Sequence, residues 1–354
     1  MEDDIVLVYI TDNNYIMPTT VSITSVLMNK KQSTKYNINI IATDVIDYIN
    51  ILDNIKSVTK DDNVNINIIK TENKYKNIIN NNNKVTNAAL LKFSIADILS
   101  NYNKVLYLDS DTIILNDLSD LFFTDISEKY AGVIKDLYAM KHDQEHINLG
   151  IEKYFNSGVM LLNTKILRYE NISKKLIEYK LNSKSHYVDQ NSFNYIFNNK
   201  VKFLSPKYNY ITSNFIYTKE EVENFFETNI NYDDIDIVHF SNKPWNANMQ
   251  NEYFFEKFWN YYQYTSYYKN DPMFAINKIV EQKVRSMEIK IYNELHNVYN
   301  YLDSNKEYIN HTTNIINNIN NEINITNNKI NKIIDHIAWF IPIKKWRNNF
   351  KNKF

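Results

Sequence analysis

The sequence predicts an α/β fold with a largely parallel sheet, followed by a long helical extension. Two observations carry this. From Ile5 to Phe240, short apolar runs of strand length alternate with longer stretches apolar at helical spacing. After about Asn260 the pattern becomes a heptad, with no Gly or Pro between Met273 and Ile341.

Ile5–Ile10 is a continuous apolar run and reads as a buried strand, with a loop after it at Asp12–Tyr15. Pro18–Met28 has a helical apolar pattern. Asn37–Ala42 reads as a second strand, Asp44–Ser57 as a helix and Asn65–Ile69 as a third strand. The Asn80–Asn83 run is a loop, and Ala88–Leu99 is helical and leads into a strand at Val105–Leu108. Tyr130–Ile134, Gly158–Asn163 and Ile235–Phe240 complete the strand candidates.

The heptad has two seams. One is Leu295, Leu302, Ile309, Ile316, Ile323, Ile330 and Ile337; the other is Ile291, Val298, Asn305, Thr312, Ile319, Thr326, Ile333 and Phe340. One register over this length predicts a coiled coil that self-associates through residues 291–340. The last stretch interleaves Lys344, Lys345, Arg347, Lys351 and Lys353 with Trp339, Phe340, Trp346, Phe350 and Phe354. Cations attract an anionic surface and Trp and Phe suit the headgroup boundary, so a membrane-associating tail is expected. The expected division is a catalytic domain at 1–260, a helical oligomerisation region at 261–338 and the tail at 339–354.

Bulk properties narrow the classes. The 354 residues carry a net charge of −1, which does not point to nucleic acid. There is no Cys, which excludes disulfides, thiolate metal sites and a cysteine nucleophile. The start, "MEDDIVLVYITDNNY", is acidic before a short apolar run, unlike a signal peptide. No run approaches the roughly 20 apolar residues of a membrane span. A cytoplasmic protein, peripheral on the inner face of the cell membrane, is the expectation.

The chemistry concentrates in "KVLYLDSDTIIL". Asp109 and Asp111 follow a buried strand, and carboxylates there are costly unless a cation meets them. At the end of an α/β strand they can aim at one point where ligands bind, and hard oxygen ligands suit Mn²⁺ or Mg²⁺. "DIVHFSNKPW" adds His239, a possible third ligand, and Lys243, a point charge for phosphate. "YFNSGVMLLN" places Asn156 and Ser157 before a strand. "YVDQNSFNYIF" opens a helix with Asp189 and Gln190, where plain N-terminal capping is the simpler reading.

Five blocks in order, "ITDNNY", "LLKFSIADILSNYNKVLYLDSD", "YFNSGVMLLN", "DQNSF" and "KPW", resemble glycosyltransferase family 8, the retaining enzymes that include glycogenin and bacterial lipooligosaccharide galactosyltransferases. The resemblance spans Ile5 to about Trp245. It implies a GT-A nucleotide-sugar-binding fold with a mixed, mostly parallel sheet. It also implies Mn²⁺ (or Mg²⁺) and a UDP-sugar donor, with galactose or glucose passed to a hydroxyl of a glycan or glycolipid acceptor. Surface polysaccharide or lipooligosaccharide synthesis is the implied setting; the alternative is a non-catalytic scaffold or glycan-binding protein acting through its coiled coil.

Carried over, Asp109, Asp111 and His239 bind the metal. Thr11, Asp12, Asn14 and Tyr15 hold the nucleoside, and Ser110 belongs to the same donor site. Lys92 stands where the family often has Arg, and Lys243 grips the diphosphate. Asp136, Asn156, Ser157, Asp189 and Gln190 surround the sugar, with Asp189 and Gln190 at the catalytic positions. One departure is visible: "HFSNKPW" is two residues shorter than the family's His-x-x-Gly-x-x-Lys-Pro-Trp and lacks its Gly. A reshaped diphosphate loop is expected there.

Overall fold

The computed structural model describes residues 4–43, 62–72, 75, 87–142, 145–183, 189–246, 252–304, 309–339, 341 and 344–351. The expected helix Asp44–Ser57 and loop Asn80–Asn83 lie outside these residues, as do Asn305, Phe340, Pro342, Lys353 and Phe354. The chain divides into two compact units. The first is Met1–Asn242 with Asn251–Asn270; the second is Lys243–Gln250 with Asp271–Phe354.

Among the described residues ten strands run through the first unit: β1 (Ile5–Thr11), β2 (Tyr36–Ala42), β3 (Val64–Lys70), β4 (Val105–Leu108), β5 (Thr112–Ile114), β6 (Ala131–Lys135), β7 (Phe155–Leu162), β8 (Val201–Phe203), β9 (Tyr210–Ile211) and β10 (Ile237–His239). Seven form one sheet in the order β3-β2-β1-β4-β7-β6-β8, and three form another in the order β5-β10-β9. The β3-β2-β1-β4 half is parallel, and β7 pairs antiparallel with both β4 and β6. This is the mixed, mostly parallel sheet that the GT-A fold implies. All seven residues of β1 are buried, which is why they read as an unbroken apolar run.

Helix α1 (Ile16–Asn29) covers the expected Pro18–Met28. Its buried face carries Thr19, Thr20, Ser22, Thr24 and Ser25 beside Val21, Ile23 and Val26. The hydroxyls find partners: Thr20 and Thr24 donate to carbonyls one turn back, and Ser25 accepts from Ile114 N. The segment expected as a helix at Ala88–Leu99 is a 3-10 helix at Asn87–Ser94 followed by one α-turn at Ile95–Ile98. Further on come α2 (Gln190–Ile196) and α3 (Lys219–Phe226).

Two sheet features place the chemistry. β1 and β4 are parallel neighbours, so the segments leaving their carboxyl ends, Asp12–Tyr15 and Asp109–Asp111, emerge at one edge. Asp109–Asp111 is also where the chain crosses from the large sheet to the small one, and β10 there pairs antiparallel with β5, His239 opposite Thr112. Phe240 N donates to Asp111 O at 2.9 Å, which locks the two segments together.

In the second unit the heptad register of the sequence falls on two helices. The unit contains α4 (Pro272–Ser304), α5 (Ile309–Trp339) and a short α6 (Lys344–Lys351). Val280 packs in one cluster with Ile334, Ala338 and Ile341, supported by Met273, Ile276, Val284, Ile330 and Ile337. A straight helix would hold Val280 and Ile334 about 80 Å apart. The start of α4 therefore meets the end of α5, and the helices form an antiparallel hairpin. Ile319, Ile323, Ile330, Ile333 and Ile337 are half-buried, while Leu295 and Ile316 are each 47% exposed. Much of the heptad seam is thus spent within the chain.

Candidate active site

Asp109, Asp111 and His239 come together. Each offers a ligand atom, and these atoms lie within 4.8 Å of one another. His239 Nε2 is 3.1 Å from Asp111 Oδ1 and 3.7 Å from Asp109 Oδ2. The shortened "HFSNKPW" loop does not remove His239, because its position is set by β10 pairing with β5 rather than by the loop beyond it. The donor set, two carboxylates and one imidazole, fits a divalent cation of the Mn²⁺ or Mg²⁺ kind.

Behind the triad stands Lys92, carried on the 3-10 helix and buried. Its Nζ lies 3.0 Å from Asp109 Oδ1 and 2.8 Å from Asp189 Oδ2. Burial alone would lower the ammonium's pKa, but Asp109 and Asp189 outweigh it and hold Lys92 above its ordinary value. Tyr107 donates its hydroxyl to Asp109 Oδ1, and burial first, then the Asp109 charge, pushes the phenol well above its usual range. Lys92 is the ammonium paired with Asp109 and Asp189, while Asp111 lies against His239, so the three carboxylates outnumber the ammonium by two. A bound divalent cation would balance that excess.

Asp189 precedes α2 at its N-cap position, yet its side chain makes no capping bond. It accepts instead from Ser157 Oγ at 2.9 Å and pairs with Lys92. The simple capping reading is therefore corrected: the ammonium and the hydroxyl compete successfully for the carboxylate.

Gln190 Oε1 accepts from Ser157 N and Asn156 Nδ2, each at 3.2 Å, while Gln190 Nε2 donates to Asp136 Oδ2 at 3.3 Å. Asn156 Nδ2 also donates to Asp136 Oδ2 at 3.2 Å, and Asp136 Oδ1 accepts from Ala139 N. Lys92, Asp109, Asp111, Asp136, Asn156, Ser157, Asp189, Gln190 and His239 therefore form one connected polar site.

Of the other expected residues, Thr11, Asp12, Asn14 and Tyr15 lie at the carboxyl end of β1, and Ser110 lies between the two triad carboxylates. Asp12 Oδ1 accepts from Asn14 N at 2.9 Å and Tyr15 N at 3.2 Å, a turn that opens α1, and Asn14 is exposed. Thr11 and Ser110 are linked to this turn through Thr19, whose hydroxyl lies 3.0 Å from Thr11 Oγ1 and 2.8 Å from Ser110 Oγ. Lys243 opens the second compact unit.

Three contributors were not visible in the sequence. Tyr107 looked like strand filler. Asn209, 1% exposed, contacts both His239 and Asn156. Gly158 lies where any side chain would strike the triad, since a β-carbon there would meet His239 Cε1 at 2.1 Å and Asp109 Oδ2 at 2.8 Å. The signal for Gly158 was its rarity, as the chain has only three glycines.

Comparison with known proteins agrees with this geometry. The description "Glycosyl transferase family 8" matches residues 6–249. A lipopolysaccharide 1,2-glucosyltransferase of Escherichia coli is 29% identical over 263 residues, which is 70% of this chain and 76% of that protein. A glycosyltransferase relative in Haemophilus influenzae is 30% identical over 128 residues, 35% of this chain; the chain spans only 39% of that protein's length. Among solved structures, the galactosyltransferase LgtC in complex with donor and acceptor sugar analogs shares the fold. Its TM-score is 0.65 at 20% identity, covering 74% of this chain and 96% of that one.

Proposed function

The chain belongs to glycosyltransferase family 8, and from that premise we propose that it is a metal-dependent, retaining hexosyltransferase. It moves glucose or galactose from a UDP-sugar to a hydroxyl of a surface glycan or glycolipid. The observation that carries the reading is the convergence of Asp109, Asp111 and His239. The E. coli glucosyltransferase supports a hexose and a lipopolysaccharide-type acceptor.

In this reading the three ligands hold Mn²⁺ or Mg²⁺, which when bound neutralises the diphosphate of the departing UDP. Lys92 ties Asp109 to Asp189. Asp136, Asn156, Asp189 and Gln190 position the sugar hydroxyls. Thr11, Asp12, Asn14, Tyr15 and Ser110, at the carboxyl ends of β1 and β4, hold the nucleoside. The acceptor oxygen bonds to the anomeric carbon as the bond to UDP breaks, and the proton passes to the leaving phosphate on the same face. Gln190 is a positioning group: its amide is neutral, and its oxygen already accepts from Asn156 and Ser157.

The proposed division of labour is catalysis in residues 1–260, self-association in 261–338 and membrane contact in 339–354, with the protein peripheral on the inner face of the cell membrane. Among the described residues no helix is long and apolar enough to cross a membrane. A second copy would meet the hairpin through the side chains left exposed, Tyr292, Leu295, Tyr299 and Ile316. A monomer mass by light scattering would remove that part of the proposal.

The test of function is UDP release from UDP-glucose and UDP-galactose with Mn²⁺, with and without chelator, in wild type and Asp111→Asn. Chelator and substitution should each abolish turnover. Undiminished turnover by Asp111→Asn in saturating Mn²⁺ would overturn the metal assignment.

A further inference from the structure

Asn209 joins the triad to the sugar-facing side chains. It lies just before β9, whose parallel pairing with β10 sets Ile211 opposite His239. Its amide touches both sides: Oδ1 is 3.2 Å from His239 Nδ1, and Nδ2 is 3.0 Å from Asn156 Oδ1. The direction of these bonds follows from one fixed point, a backbone amide, which can only donate.

Gly158 N–H donates to Asn156 Oδ1 at 2.9 Å. That contact fixes Asn156 with its oxygen toward Gly158. The opposite end agrees, because Asn156 Nδ2 faces two acceptors, Asp136 Oδ2 and Gln190 Oε1. With Asn156 Oδ1 an acceptor, Asn209 must turn its NH₂ toward it and its oxygen toward His239. An amide oxygen only accepts, so His239 Nδ1 carries a proton. What remains is Nε2, the nitrogen that faces Asp111 and Asp109.

We infer that Asn209 is a positioning residue: through the chain Gly158–Asn156–Asn209–His239 it holds the imidazole with Nδ1 protonated and Nε2 as the atom that accepts a metal. The inference rests on the proposed metal site and adds to it the tautomer and the residue that selects it. An outer-shell acceptor of this kind fixes ring orientation and raises ligand basicity. Because the same Asn156 reaches Asp136 and Gln190, the sugar side and the metal side share one set of bond directions.

The experiment uses the full chain with ¹⁵N-labelled histidine. The His239 resonances are assigned by their loss in His239→Ala and read in the Mg²⁺–UDP-bound state. Wild type should show a proton on Nδ1 and none on Nε2. Mn²⁺ binding in the presence of UDP is measured in parallel by the loss of free-Mn²⁺ paramagnetic signal. Asn209→Ala should release the tautomer and weaken Mn²⁺ binding about 10–100-fold. Asn209→Asp keeps an oxygen opposite Nδ1 and should restore both the Nδ1 proton and most of the affinity.

A wild-type Nδ1 without its proton would overturn the inference, and that reading needs no variant to fold. So would an Asn209→Ala protein with unchanged tautomer and affinity, or a folded Asn209→Asp that behaves like Asn209→Ala. Wild type that carries the Nδ1 proton at pH 8 yet takes up no Mn²⁺ would remove the metal reading and leave the assigned tautomer standing.

Discussion

Gly158 approaches His239 so closely that a β-carbon on the glycine would stand 2.1 Å from the imidazole Cε1 and 2.7 Å from Nδ1. The ring has little room to retreat, because it is buried and bonded to Asn209. Gly158→Ala should therefore displace His239 from the triad. Mn²⁺ affinity should fall at least about tenfold, with a stability loss of about 1–3 kcal/mol from overpacking. Mn²⁺ titration and urea unfolding check the two effects; unchanged Mn²⁺ affinity would show that His239 is not a ligand.

Lys92→Met removes the ammonium that Asp109 and Asp189 share. Two carboxylates then face each other in a largely buried site, a loss of about 3–5 kcal/mol when one partner of a buried pair is removed. Saturating Mn²⁺ should return part of that stability in urea unfolding. The pH sign follows from the raised pKa of Lys92. Its contribution is full below the ordinary lysine value and fades only as pH rises through the higher folded value. The wild-type advantage over Lys92→Met should thus be flat across neutral pH.

Acid should act on α3. Thr218 and Glu221 form a capping box there, and Glu221 also pairs with Lys141 at 2.9 Å. The Lys141 bond first, then the Thr218 backbone N–H, lowers the Glu221 pKa from 4.5 to about 2. A depressed carboxyl stabilises above its unfolded value and loses that contribution as pH falls through the folded one. The melting-temperature gap between wild type and Glu221→Gln should narrow from pH 4.5 down to about 2. A gap constant over that window would remove Glu221 from the account of acid sensitivity.

The tail is best tested without truncation, because Ile341 and Ala338 belong to the packed end of the hairpin. Lys344 and Lys345 are exposed, Trp346 is 46% exposed, and Lys351 is paired with Asp335. The double substitution Lys344→Gln, Lys345→Gln removes two cations worth about 1 kcal/mol each at an anionic surface. Binding to phosphatidylserine vesicles should weaken about 30-fold while turnover on a small acceptor is unchanged. Equal vesicle binding by both proteins would refute the anchor.

What the sequence determined by itself was local or strongly periodic. The buried strands β1 and β4 were legible as apolar runs, because a strand covered on both faces has no polar side to show. Asp109 and Asp111 stood out because carboxylates after such a strand need a cation, and the order of five motifs carried the family. The tertiary structure decided what depends on contacts distant in sequence. A heptad seam looks the same whether another chain or the same chain folds against it, so the antiparallel α4–α5 hairpin could not be read from periodicity. Lys92 bridges Asp109 and Asp189 across the chain, and Asp189 gives its carboxylate to that bridge rather than to a helix cap. Gly158 and Asn209 matter because β7 and β9 bring them against a histidine far along the chain. Hydrogen-bond direction and steric clearance exist only between neighbours in space.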